Sequence, residues 1–330
     1  MTVRVYRSTD TSAPVLSGTA GALITVLDAV LVNGYGAQVA AGWTKPFSGT
    51  NLAGYRQGTG SNNFFLKVRD DASTAGGAQI ATLRGFEVMT TVTATDSSAD
   101  GTGPFPTVAQ AATGNSLRKS SGADTSSRTW IIIADQRTFY MFVLTGDATA
   151  AYYSTMFGEI YSFKTSDPYR CAIGARTDTG GLQSNELFGL MPTAGIATTL
   201  AGHFLARDAS GAVGAIPSGA LGNTACNGGG TGTLPGFSNS ANSLGMKNVT
   251  DHKVYMFPIR VNHTQGGNTV RGRYRGLWQA GHQQTTLSDG DTFIGSGSLA
   301  GKTFMAVKNI GTSALAGALC LEISDTWDTN

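Results

Sequence analysis

Apolar residues in this chain come in short runs, and most of the runs carry the two-residue period of strands rather than the longer period of helices. Thr2 to Arg7 alternates and predicts a first strand. Gly18 to Val32 is different: Leu23, Val26, Leu27, Val30 and Leu31 recur at three- and four-residue spacing and form one apolar helix face. Ser17 is the expected N-cap and Asn33-Gly34 the expected stop. Gly34 to Gln57 is rich in Gly and aromatics without a clear period and reads as irregular loop. Asn63 to Asp70 predicts a strand with Phe64, Leu66 and Val68 on one face. Gln79 to Thr95 predicts one long or bent strand, and Asp96 to Pro106 a turn-rich break.

The strongest local pattern lies in Arg128 to Thr145. Trp130-Ile131-Ile132-Ile133 and Phe139-Tyr140-Met141-Phe142-Val143 flank Asp135-Gln136 and predict a hairpin with a short turn. Such continuous apolar runs predict burial on both faces. Further strands are expected at Phe157 to Phe163, Tyr169 to Ala175, Gly202 to Arg207, Lys253 to Val261, Thr269 to Trp278, Lys302 to Asn309 and Ala318 to Ser324. Between them, Ser218 to Gly245 is dominated by Gly, Ser, Asn and Thr and has no period, which predicts a long surface loop or an insertion. The expected fold is mainly β: antiparallel, sandwich- or barrel-like sheets with one N-terminal helix packed on the sheet. Residues 1–330 are expected to form a single unit.

Composition narrows the picture. The 330 residues include 45 Gly, and only 13% are charged. Disordered chains are richer in charge and poorer in apolar residues, and collagen would show Gly at every third position. The formal net charge is +2, and the densest basic cluster is Arg271, Arg273 and Arg275, too small for the basic stripe of a nucleic-acid binder. Cys171, Cys226 and Cys320 stand far apart, which argues against a disulfide framework. No signal peptide is visible at the N-terminus. The most apolar stretch, Ala20 to Val32, is too short to span a bilayer, so no membrane insertion is expected.

Chemical motifs fare poorly. Gly297 to Thr303 imitates a phosphate loop, but three residues, not four, separate its glycines, and a strand pattern follows. Ser116-Leu117-Arg118-Lys119 has the spacing of a nucleophile and base, but its flanks are polar and loop-like. The four histidines show no metal-ligand spacing, and His203 reads as a satisfied strand residue. Asp70, Asp71, Glu87, Asp135, Glu159 and Asp167 are the candidates for a glycosidase carboxylate pair. Asp70, Asp135 and Asp167 sit at expected strand ends, where Asp serves turns. No catalytic residue, cofactor or metal is expected.

Arg271, Arg273 and Arg275 fall on one face of an expected strand. Three like charges in a row require carboxylates, phosphate or a partner surface, unless they simply face solvent. Together with the aromatics Trp43, Tyr55 and Trp278 they are the candidate interface residues, the aromatics being also the candidates for stacking on sugars.

Several blocks together resemble a known family. They include Tyr6-Arg7-Ser8-Thr9-Asp10, Leu27 to Gly36, Ala41-Gly42-Trp43-Thr44-Lys45-Pro46-Phe47 and Tyr55-Arg56-Gln57. Later blocks are Phe157 to Phe163 with Asp167-Pro168-Tyr169, Val270 to Trp278, and the closing Ile323-Ser324-Asp325-Thr326-Trp327-Asp328. The chain resembles virion structural proteins of tailed bacteriophages along nearly its whole length, thinning in Ser218 to Gly245. The resemblance implies a non-enzymatic virion component, made in the host cytoplasm, that binds copies of itself and other tail, neck or capsid proteins. The tail with its baseplate and fibre-attachment region is the first expectation and capsid decoration the second. A binder of host-surface carbohydrate and a depolymerase are the readings from other classes.

Overall fold

A computed structural model describes residues 2–95, 98–146, 152–176, 201–208, 211–213, 254, 256–263, 269–280, 287–308, 318–324 and 326–328. Over these residues the protein is mainly β, with antiparallel sheets and a helix near the N-terminus. The segment Ser218 to Gly245 lies outside the described residues, as do Cys226, His252 and His282.

Strand β1 (Arg4–Arg7) precedes helix α1 (Ala22–Leu27), which runs on as a π-helical turn over Asp28–Asn33. Then come β2 (Thr44–Gly49), β3 (Leu52–Arg56), β4 (Phe65–Arg69), β5 (Thr74–Ala75) and β6 (Ala78–Met89). The middle of the chain forms β7 (Gly101–Phe105), β8 (Asn115–Ser120), β9 (Thr129–Ala134), β10 (Thr138–Leu144), β11 (Tyr152–Ser162) and β12 (Cys171–Arg176). The remainder is β13 (Ala201–Leu205), β14 (Met256–His263), β15 (Thr269–Ala280), β16 (Thr292–Ile294), β17 (Thr303–Lys308) and β18 (Ala318–Glu322).

The larger sheet runs β1, β9, β10, β11, β12 and continues through the pair Arg176–Ser116 to β8, β6, β4, β3 and β2. Strand β6 gives one edge to β4 and the other to β8 and β7 in succession. The second sheet runs β14, β15, β18, β17, β16. Strand β11 joins the two: it pairs with β10 and β12 over most of its length and with β15 through Ile160, Tyr161 and Ser162.

The hairpin β9–β10 forms as its sequence predicts, and both its faces are buried. Trp130, Ile132, Phe139, Met141 and Val143 point into one core with the helix, while Ile131, Ile133, Tyr140 and Phe142 point into the other, under the second sheet. Each such side chain, fully buried, contributes about 1.5–3 kcal/mol. The helix face is also as read: Leu23, Val26, Leu27, Val30 and Leu31 are all buried in the first core.

Five local expectations are corrected. The helix begins at Ala22, not Gly18, because Gly21 takes a left-handed backbone with φ of 78°, which an α-helix does not run through. Ser17 does not cap it; it bonds Thr19, and the carboxylate of Asp70 accepts from the Leu23 N–H at 2.7 Å. Within 34–57, expected to be loop, the chain forms β2 and β3, and β7 lies within the expected break 96–106. The segment around Ser116 and Lys119, expected to be loop-like, is the buried strand β8. Gly34 does end the helical segment, with φ of 78°.

Candidate functional site

The arginine row lies on β15, and its carboxylates come from the same chain. Arg271 meets Asp167 at 2.7 Å, and Asp167 is held in turn by the Ser162 hydroxyl at 2.7 Å. Arg273 pairs with Asp328. Arg275 makes a forked contact with Asp135, at 3.2 Å to Oδ1 and 2.7 Å to Oδ2, and donates to Thr138 Oγ1 at 3.0 Å and to the Asp328 carbonyl at 2.9 Å. Asp135 keeps the turn role its position suggested, accepting from the N–H groups of Arg137 and Thr138, both at 2.8 Å.

Arg271 and Arg275 are buried, and their alternation along the strand is therefore not a solvated face. Arg273 retains 27% exposure of its side chain. The row thus ties three places together: the β9–β10 turn, the end of β11 and the last described residues of the chain. Trp327 completes this arrangement. Its indole is buried, lies 5.6 Å beneath the Arg275 guanidinium, meets Tyr140 edge-on at 5.5 Å and donates to the Glu322 carbonyl at 2.7 Å. Gly276 makes room for it: with φ of 63°, a Cβ there would stand 2.1 Å from the indole nitrogen.

More buried charge lies elsewhere in the large sheet. Lys119 on β8 pairs with Asp70, and both side chains are fully buried. Burial raises the Asp70 carboxyl above its ordinary value, against the pull of Lys119. Lys67 on β4 pairs with Asp100 at 2.5 Å, and Glu159 accepts from Arg170 at 3.2 Å and from Arg137 at 3.3 Å. All six candidate glycosidase carboxylates are therefore engaged by cations of the same chain, since Asp71 meets Arg69 and Glu87 meets Arg207. The partners in these pairs are mostly far apart in sequence, and no local pattern marks them.

The remaining candidates are structural in place. Ser116 and Lys119 lie on the buried strand β8, and Lys119 is engaged by Asp70. The Gly297 to Thr303 segment is a short 3-10 turn entering strand β17. His203 is buried on β13, with Nδ1 3.0 Å from the Tyr274 hydroxyl. Trp43, Tyr55 and Trp278 are buried, with 3%, 0% and 9% exposure, so none offers a free ring face for a sugar. The Trp43 indole donates to the Asp135 carbonyl at 2.9 Å, and the Tyr55 hydroxyl to Asp28 at 2.8 Å.

Among the described residues, no group of three or more His, Cys, Asp or Glu is placed to hold a metal ion, and no helix is long and apolar enough to cross a membrane. No protein-family model matches the chain, and no curated protein matches it.

Proposed function

We propose that this protein is a non-enzymatic structural component of a tailed-phage virion, which binds copies of itself and docks to other virion proteins in the tail, baseplate or fibre-attachment region. The observation that carries the proposal is where the charge sits. Among the described residues, seven of the 21 acidic and eight of the 23 basic residues of the chain are buried. A chain already poor in charge places a third of it inside. The described surface is left with less of the charged cover that keeps a free protein soluble and apart from its neighbours. Large apolar side chains stand out on that surface, among them Ile294 at 72%, Val39 at 63% and Phe163 at 56% exposure. Interfaces are depleted in Lys, Glu and Asp and tolerate such side chains. The resemblance of the sequence blocks to virion structural proteins supports the same conclusion.

The test is mass spectrometry of washed particles, followed by separated heads and tails. Many copies in the tail fraction are expected. Recovery with heads alone points to capsid decoration instead, and absence from washed particles overturns the proposal. Binding to a host glycan array, lost on replacement of an exposed side chain, favours a carbohydrate binder.

A further inference from the structure

The outer face of the second sheet carries a patch that the rest of the molecule leaves half satisfied. Tyr161 on β11 pairs in register with Arg273 on β15, and Arg273 pairs in register with Arg260 on β14. Directly opposed residues of an antiparallel pair share a face, so the two arginines stand side by side, an arrangement that repels. The neighbours Ile259 and Tyr274 point the other way, into the core. Arg273 has one carboxylate, Asp328. Arg260 is exposed and has no hydrogen-bond or ion-pair partner among the described residues. Beside them Phe163 is 56% exposed and meets Tyr161 edge-on at 6.1 Å.

The patch thus has an excess of cations, since Asp328 is shared between Arg273 and Lys302, together with an exposed ring and a carboxylate whose side chain is still 40% exposed. Excess cation and accessible carboxylate on one surface make that surface complementary to itself. A second copy related by a two-fold axis would offer its own Asp328 to Arg260 and its own Phe163 ring to Phe163. Isologous contacts of this kind are the commonest way for a chain to pair, and arginine with aromatics is the usual composition of their energetic centre. Sugar stacking is disfavoured here, because the Arg273 guanidinium already lies 4.8 Å over the Tyr161 ring.

We propose that Phe163, Tyr161, Arg273, Arg260 and Asp328 form a two-fold interface with a second copy of this chain. The proposal rests on the self-associating structural role given above and specifies its surface. The test is sedimentation velocity of the full chain over a range of concentration and salt, with Arg260→Glu and Phe163→Ser as variants. Both residues are exposed, so thermal unfolding of the monomer serves as the control for folding. The expected result is a dimer that weakens with salt, with dissociation constants raised about tenfold or more by Arg260→Glu, as for any attractive interfacial pair made repulsive. A wild-type chain that stays monomeric, a dimer indifferent to both variants, or a monomer that instead binds an anionic polysaccharide through Arg260 overturns it. A monomer still abundant in washed particles overturns this interface alone, whereas absence from particles overturns the virion role and leaves the dimer measurement standing.

Discussion

Arg275 and Asp135 lie 140 residues apart in the chain and meet as a buried forked ion pair, with the guanidinium nitrogens 3.2 and 2.7 Å from the two carboxylate oxygens. Asp135 also organises its own turn, so its removal leaves the buried Arg275 guanidinium without its counter-ion and two backbone N–H groups without their acceptor. Breaking one partner of such a pair costs about 3–5 kcal/mol. Asp135→Ala is expected to lose stability in that range by urea unfolding. The double variant Asp135→Ala with Arg275→Met, which leaves no unpaired charge, is expected to lose clearly less.

Gly276 and Trp327 predict a packing effect. A methyl group at 276 has no space beside the indole and meets an unfavourable positive φ. Gly276→Ala is expected to push Trp327 out of its slot, at a cost of about 1–3 kcal/mol typical of overpacking. Tryptophan emission should shift to the red, with a lowered unfolding midpoint. An unchanged spectrum and midpoint show that the slot adapts.

The cysteines predict a chemical inertness. Burial pushes the Cys320 thiol up to about 12 and raises that of Cys171 well above its usual value. Thiolate, the reactive form, is therefore scarce at both in the folded chain. Pulse alkylation at neutral pH read by peptide mass spectrometry should leave Cys171 and Cys320 unlabelled until denaturant unfolds the chain. Rapid native labelling of either contradicts the packing around it.

Two carboxyls set a pH dependence of uncommon sign. Burial raises Asp70 and Glu322 above their ordinary values of 3.8 and 4.5. The folded chain then holds more protons at these groups than the unfolded chain between the ordinary and the raised values. Stability from these two groups is greatest below the ordinary values and falls as pH rises through the raised ones. Glu322→Gln should flatten some of that fall in unfolding midpoints measured across the window. A wild-type slope unaffected by the substitution argues against a raised Glu322.

What the sequence discloses and what it conceals follow from the range of the forces involved. The β9–β10 hairpin was legible because Trp130 to Ile133 and Phe139 to Val143 state their burial residue by residue. So was the helix face from Leu23 to Leu31. The helix start was not, since its cap is Asp70, a residue brought in by a neighbouring strand. Strand β8 hid for the same reason: Asn115, Ser116, Arg118, Lys119 and Ser120 look solvated, and only distant partners such as Asp70 make them a buried strand. Strands β2 and β3 were masked by Pro46, Gly49 and Gly54, which break the alternation. The arginine row was visible as a row, but its partners Asp135, Asp167 and Asp328 were not, because ion pairs leave no period in a sequence. The aromatics Trp43 and Tyr55 suggest ring chemistry in the sequence, and the fold uses them as core.

The sharing of β11 between the two sheets has a mechanical consequence. Most of its length is stitched to β10 and β12 and its end to β15, so a pull on one sheet loads the backbone hydrogen bonds of the other. A sliding or hinging of the sheets against each other must break a strand rather than merely separate a pair of packed surfaces. A load applied at the second sheet, where the dimer contact is proposed, is therefore carried by main-chain bonds into the sheet that holds the helix.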